Sequence, residues 1–289
     1  CDGNVAFRLD FLEAINRKWL TPFKYFGIYD DTDYSQITWL GNRYDEEELL
    51  QQQLRDDMAE KIFNAWEEKK QTRTIGFCSS IRQANFLSQF FNKKGYNTVA
   101  LHSKQAEVGR QDAIGQLAAG DLDVIFTVNL FNEGVDIPEV DTLLFVRPTE
   151  SLTVFTQQIG RGLRQHDNKS HCVVIDLIGN YRNADIKLSL FDTSEKGKKK
   201  ITEPVLPDLC EINLDLKVIT LLEEMTRKKQ PRKDKLLQAY LDLKFELGRR
   251  PTYLEIHLKG TADSAQYHQD FDSFLGFLSW ADELLDKEK

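Results

Sequence analysis

The sequence predicts an α/β protein: a parallel sheet with helices on both faces, preceded by a helical lead-in and followed by a small helical appendage. Three observations carry that expectation. From residue 72 onward, short apolar runs alternate with helical periodicity, the pattern of a sheet buried on both faces. Before residue 70, apolar residues recur at helical steps instead. After residue 195 a basic run and two prolines, Pro204 and Pro207, break the alternation, and only helical periodicity returns. The chain has 289 residues, 41% hydrophobic and 11% aromatic, enough to bury a real core and to exclude wholesale disorder.

Taken in order, a short amphipathic helix over residues 9–20 ends at Thr21-Pro22. A loop rich in Tyr and Asp is expected over residues 25–34. Asp45 is placed to cap one long helix reaching about residue 69, because Leu49, Leu50, Leu54, Met58, Ile62 and Trp66 recur at three- and four-residue steps. Strands are expected at 74–78, 98–101, 123–128, 142–146 and 172–177. Helices are expected at 82–92, ending at Lys94-Gly95, at 106–119, ending at Gly120, and at 151–164. Three further helices are read at 214–224, 235–247 and 271–285.

Composition narrows the setting. No apolar run is long enough to span a bilayer, and no charged-then-apolar signal segment opens the sequence. Cys1, Cys78, Cys172 and Cys210 lie far apart without a CxxC, which predicts a reduced, cytoplasmic protein without a zinc site. The net charge is -8, so any nucleic-acid contact must come from local patches. Two basic runs qualify, KGKKK at 196–200 and RKKQPRKDK at 227–235, although a solvated linker is the plainer reading of both. The sequence begins with Cys, so it is expected to be a piece of a longer protein.

Four segments carry chemistry. In Gln157-Gln158-Ile159-Gly160-Arg161-Gly162-Leu163-Arg164, helical spacing puts Gln157, Arg161 and Arg164 on one face and Phe155, Ile159 and Leu163 on the other. Two permanently charged guanidinium forks on one face suit a phosphate. Gly160 and Gly162 each cost a helix about 1 kcal/mol, a cost that makes sense where another surface must approach closely. A surface helix with solvated arginines is the plainer reading. The stretch from Thr127 to Pro138 starts at a strand's carboxyl end, where ligands bind in such sheets. There Thr127 and Asn132 suit phosphates, Gly134 allows close backbone approach, and Asp136 suits a ribose hydroxyl or an arginine; an ordinary turn is the alternative. Phe77-Cys78-Ser79-Ser80 places two hydroxyls before a helix, fit for a phosphate or simply for an N-cap. Leu101-His102-Ser103 follows another strand end.

The order and spacing of these segments resemble the second RecA-like domain of superfamily 2 helicases, DEAD/DEAH-like proteins that include type I and type III restriction motor subunits. Phe77-Cys78-Ser79-Ser80 looks like motif IV, Leu101-His102-Ser103 with Arg110 like the following element, and Thr127 to Pro138 like motif V. Gln157 to Arg164 matches the Q-x-x-G-R-x-x-R of motif VI residue by residue. Arg147-Pro148-Thr149-Glu150-Ser151 and Val174-Ile175-Asp176 fit the restriction-related group. The resemblance covers residues 72–182 well and the flanks loosely, through Leu247-Gly248-Arg249-Arg250-Pro251-Thr252.

It implies a RecA-like fold and a division into three parts. Residues 1–70 would lead in from an upstream motor domain, 71–195 would be the helicase C-terminal domain, and 196–289 a basic linker with a helical region. It implies Arg161 and Arg164 as catalytic residues, with Gln157, Gly134 and Asp136 at the nucleotide. Ser79, Ser80, His102, Ser103, Thr127 and Asn132 would lie along nucleic acid, with DNA the expected target and restriction, repair or defence the expected process. The cofactors implied are ATP and Mg2+, held mainly by the upstream domain. No GxxxxGK[ST] occurs in the sequence, and the acidic run at 45–48 opens an amphipathic helix instead of following a buried strand, so it is not read as a DExx box. The chain alone is therefore expected to be inactive. Two other readings stay open: a non-catalytic RecA-like nucleic-acid-binding module, and an unrelated α/β enzyme such as a nucleotide-sugar transferase.

Overall fold

The apolar runs expected as strands pair side by side and in parallel in the computed structural model. It describes residues 11–40, 43–102, 107–128, 137–148, 152–182, 184, 206–229 and 232–281. Strands β1 (Phe23–Tyr29), β2 (Thr74–Phe77), β3 (Thr98–Leu101), β4 (Val124–Thr127), β5 (Thr142–Phe145), β6 (Cys172–Ile178) and β7 (Glu211–Leu214) form one sheet in the order β3-β4-β2-β5-β6-β1-β7. Strands β2, β4, β5 and β6 are buried along their whole length, which is why their sequences are continuous apolar runs and not alternations. The register places Phe77 opposite Thr127 and Phe145, so these strand ends share one carboxyl edge.

Helices α4 (Ile81–Lys93), α5 (Glu107–Ala119) and α6 (Leu152–Gly162) form the crossovers between strands. Helix α4 buries Ala84, Leu87 and Phe91 in a cluster shared with Phe126, Leu144 and Ile175 of the sheet. The expected terminators hold: Gly95 and Gly120 adopt positive φ, of 95° and 88°, just past α4 and α5, where an L side chain would be strained.

The lead-in differs from its expectation in two ways. Residues 25–29, the first half of the segment read as a loop, belong to strand β1, which is inserted between β6 and β7. Tyr25 is buried on β1 and its hydroxyl donates to Asp176 on β6 at 2.5 Å. Burial first, then the Asp176 carboxylate, push the Tyr25 phenol well above its ordinary pKa, so it stays a donor. The single helix expected over 45–69 is two, α2 (Glu46–Gln53) and α3 (Asp56–Lys69), with Arg55 extended between them. Asp45 caps α2 as expected, accepting from the Glu47 and Glu48 amides. Asp56 and Asp57 open α3, where carboxylates oppose the positive end of a helix dipole. Strand β7 falls after the two prolines and overlaps the start of the helix expected from residue 214, where no strand was expected. Its half-exposed pattern lacks the apolar run that marked the others.

Helix α3 packs as part of this sheet's core. Met58, Ala59, Ile62 and Trp66 join the cluster of α4 and the sheet, and Trp66 Nε1 donates to Thr74 Oγ1 on β2 at 2.9 Å. Asp141, just before β5, gathers the connection into β2. Its carboxylate accepts from the Thr72 and Arg73 amides at 3.0 and 2.9 Å and from the Thr72 hydroxyl at 2.6 Å.

The chain divides into two compact units, residues 1–222 and 223–289. Helix α7 (Leu216–Lys229) spans their junction in sequence. The second unit contains α8 (Arg232–Leu247), α9 (Tyr253–Lys259), α10 (Ala265–Phe271) and α11 (Phe274–Trp280) around Leu236, Tyr240, Ile256, Tyr267 and Phe277. Helix α9 was not among the expected helices, although its start is a capping box. Thr252 Oγ1 accepts from the Glu255 amide, and the Glu255 carboxylate accepts from the Thr252 amide.

Candidate functional site

Helix α6 follows β5, and its apolar face decides where its polar residues go. Phe155, Ile159 and Leu163 are buried, and Phe155 packs against Tyr25 and Phe145 of the sheet. Gly162 allows that close seating: a Cβ there would stand 2.5 Å from Leu143 Cδ1 on β5. Gly160 faces open space, with nothing within 4 Å of a Cβ. The opposite face therefore carries Gln157, exposed, and Arg161, half-buried. One detail of the sequence reading changes. The helix ends at Gly162, so Arg164 lies in the exit turn, where its amide donates to the Arg161 carbonyl at 3.4 Å. The lead-in takes up the carbonyls of this turn. The Thr21 amide donates to Leu163 O at 2.7 Å and the Thr21 hydroxyl to Arg164 O at 3.2 Å.

At the carboxyl edge of the sheet, Ser80 is the N-cap of α4 and accepts from the Gln83 amide at 3.1 Å. The amide and hydroxyl of Ser79 both donate to Gln83 Oε1, at 2.8 and 3.0 Å, and the hydroxyl also reaches Gln53 Oε1 at 2.5 Å. Gln83 Nε2 in turn donates to Val146 O at 3.0 Å, so the ends of β2 and β5 and the helices α2 and α4 meet here. Thr127 closes β4 and is completely buried, its carbonyl accepting from the Cys78 amide at 2.8 Å. His102 directly follows β3 and is half-buried. Ser103, Asn132, Gly134 and Asp136 lie outside the described residues, as does the basic run at 196–200.

Arg147 was passed over as a site residue by sequence reasoning. It follows the carboxyl end of β5, and its Nη1 donates to Val128 O at 3.3 Å, immediately before residues 129–136. Burial lowers the guanidinium pKa, and Cys78 lies close enough to oppose that shift. Burial likewise raises the Cys78 thiol, which keeps it neutral. The signal available in the sequence was an arginine directly after a buried strand.

Among the described residues no group of three or more His, Cys, Asp or Glu is arranged to hold a metal ion, and no helix is long and apolar enough to cross a membrane.

This geometry defines a RecA-like domain: a parallel sheet with polar residues gathered at its carboxyl edge and two arginines at the end of one crossover helix. Residues 54–166 match the model of the helicase conserved C-terminal domain, from the end of α2 through the exit of α6. IRC3 of Saccharomyces cerevisiae (strain ATCC 204508 / S288c), named as an ATP-dependent helicase, is 30% identical over 179 residues, covering 61% of this chain and 26% of that protein. The irc3 protein of Schizosaccharomyces pombe (strain 972 / ATCC 24843), named as a mitochondrial ATP-dependent helicase, is 28% identical over 184 residues, covering 63% and 30%. The chain thus spans less than a third of either relative. The crystal structure of the yeast DEAD-box splicing factor Prp28 has the same fold, with a TM-score of 0.50 at 14% identity over 71% of this chain and 37% of that one. Over residues 54–166 the chain is thus similar to the C-terminal domain of superfamily 2 helicases.

Proposed function

We propose that this chain is the C-terminal motor half of an ATP-dependent helicase or translocase acting on nucleic acid, with DNA as the target. One observation carries the reading: Gln157 to Arg164 matches motif VI residue by residue, and the structure sets Arg161 and Arg164 at one end of α6, off its buried face. In this reading residues 71–195 form the working domain, and the nucleotide lies between it and an upstream RecA-like domain. That domain would supply the P-loop and most of the Mg2+ ligation. Arginine is the fitting donor here, because a planar, permanently charged fork matches phosphate oxygens and is worth most where charge develops in the transition state. Gln157, Gly134 and Asp136 would face the nucleotide. His102, Ser103 and Asn132 would lie along the strand, with Ser79, Ser80 and Thr127 shaping the edge beneath them. Closure on ATP and reopening after hydrolysis would then shift the two domains along the strand.

Three expected results test the reading. The chain by itself should hydrolyse no ATP, because its sequence holds no GxxxxGK[ST]. The full-length protein should hydrolyse ATP when nucleic acid is added. ATPase activity of the isolated chain that disappears in Arg161→Ala would refute the division of labour, and a full-length protein without ATPase activity would leave a binding module instead. For the isolated chain, single-strand binding should be weak and should fall steeply between about 50 and 200 mM salt through counterion release. The net charge of -8 leaves only local basic runs to make phosphate contacts. Fluorescence anisotropy on unrelated strands checks this, and tight, salt-insensitive, sequence-selective binding would contradict it.

A further inference from the structure

The ammonium of Lys169, in the loop between α6 and β6, meets three backbone carbonyls at once. Its Nζ donates to Gly162 O, Pro138 O and Val140 O, each at 2.9 Å. An ammonium has three donors, so this geometry engages it fully. The three acceptors belong to two different functional segments. Gly162 ends α6, one residue beyond Arg161, whereas Pro138 and Val140 follow the 129–136 segment that contains Asn132, Gly134 and Asp136. A second contact runs in parallel, with the Glu139 carboxylate 4.0 Å from His166 Nε2. The position also suits charge, since a cation at a helix C-terminus opposes the negative end of the dipole.

We infer that Lys169 is a positioning residue for the proposed ATPase reaction. It locks the arginine end of α6 to the backbone of Pro138 and Val140, so that Arg161 is held in one orientation toward the nucleotide. The inference rests on the function proposed above, because the lock has a purpose only if Arg161 meets the nucleotide's phosphates. Its physical basis is that the benefit of an oriented arginine is lost with small displacements: a misplacement of about 1 Å can cost about a hundredfold in rate. Lysine suits the task because its compact ammonium can aim three donors at divergent carbonyls, whereas a guanidinium presents its donors in one plane.

The experiment compares wild type, Arg161→Ala, Lys169→Met and Lys169→Arg in nucleic-acid-stimulated ATPase assays of the full-length protein, with thermal melts. Lys169→Met should lower kcat by about ten- to a hundredfold while KM for ATP moves less than about twofold, and Lys169→Arg should recover only part of the loss. If wild type is active and Arg161→Ala is dead, the functional reading stands, and a folded Lys169→Met with wild-type kcat then overturns the role of Lys169 alone. If wild type and Arg161→Ala turn over alike, the functional reading falls and takes this one with it. Hydrogen exchange on the isolated chain gives a readout without activity. Lys169→Gln should raise deuterium uptake together in peptides covering residues 137–141 and 159–164, and loosening of only one of them would refute the lock.

Discussion

Arg161→Ala in the full-length protein should cut kcat for ATP hydrolysis by about 10³–10⁵-fold, the range for an arginine that stabilises charge on a transferring phosphoryl group. Arg164→Ala should fall by orders of magnitude as well. The affinity for ATP should weaken far less, because in the proposed function the interaction is made mainly in the transition state and an upstream domain would carry ground-state binding. Arg161→Lys should rescue poorly, since an ammonium lacks the bidentate fork. Folding should change little: Arg161 and Arg164 are half-buried, and the packing of α6 is carried by Phe155, Ile159 and Leu163. The measurement is steady-state ATPase activity with a melt of each variant as the folding control. Near-wild-type turnover in a folded Arg164→Ala would remove that residue from the catalytic pair. The same result for both arginines would overturn the proposed function.

Trp66→Ala should destabilise the first unit by about 3–5 kcal/mol, the cost of emptying a large aromatic site in a packed core. Trp66 is 1% exposed. It packs against Phe63, Phe91 and Tyr96 with ring centroids 5.9, 4.9 and 4.7 Å away. Its indole N–H is satisfied by Thr74, and Lys70 Nζ lies 4.8 Å above the ring. A loss of that size in a unit of this length lowers the melting temperature by roughly 6–20 °C. Trp66→Phe should cost much less than Trp66→Ala, although it leaves Thr74 without its partner. Urea unfolding of the isolated chain followed by far-UV circular dichroism checks both. Trp66→Ala with an unchanged midpoint would mean that α3 contributes nothing to the sheet's stability.

That expectation turns on a residue whose importance was only partly legible. The three- and four-residue spacing of Met58, Ile62 and Trp66 announced a helix with one apolar face, and the helix is there. What the face packs against could not be read, because periodicity states that a surface is buried without naming the partner. Strand β1 shows the same limit more sharply. Phe23-Lys24-Tyr25-Phe26-Gly27-Ile28-Tyr29 has a lysine, a glycine and two tyrosine hydroxyls within seven residues. It is a strand because β6 and β7 flank it and because Asp176, distant in sequence, accepts the Tyr25 hydroxyl. Arg164 was placed on the helix face by a period of 3.6, yet the helix ends two residues earlier, and Lys169 and Thr21 take up the carbonyls of Gly162, Leu163 and Arg164.

By itself the sequence determined the alternation of buried strands and crossover helices from residue 72 to 178, the terminators at Gly95 and Gly120, and the two faces of α6, with Phe155 and Ile159 on one and Gln157 and Arg161 on the other. These are local properties, set by side-chain periodicity, backbone freedom and residue spacing within one element. The tertiary structure alone decided that the lead-in completes the sheet, that Ser80, an N-cap already legible in the sequence, has its side chain buried, and that Thr127 is sealed from solvent. It alone also brought Lys169 to three carbonyls on two segments. Those outcomes depend on which surfaces meet across long stretches of chain. A buried carbonyl or hydroxyl takes whatever donor the packed fold delivers to it, and no spacing along the sequence encodes which one arrives.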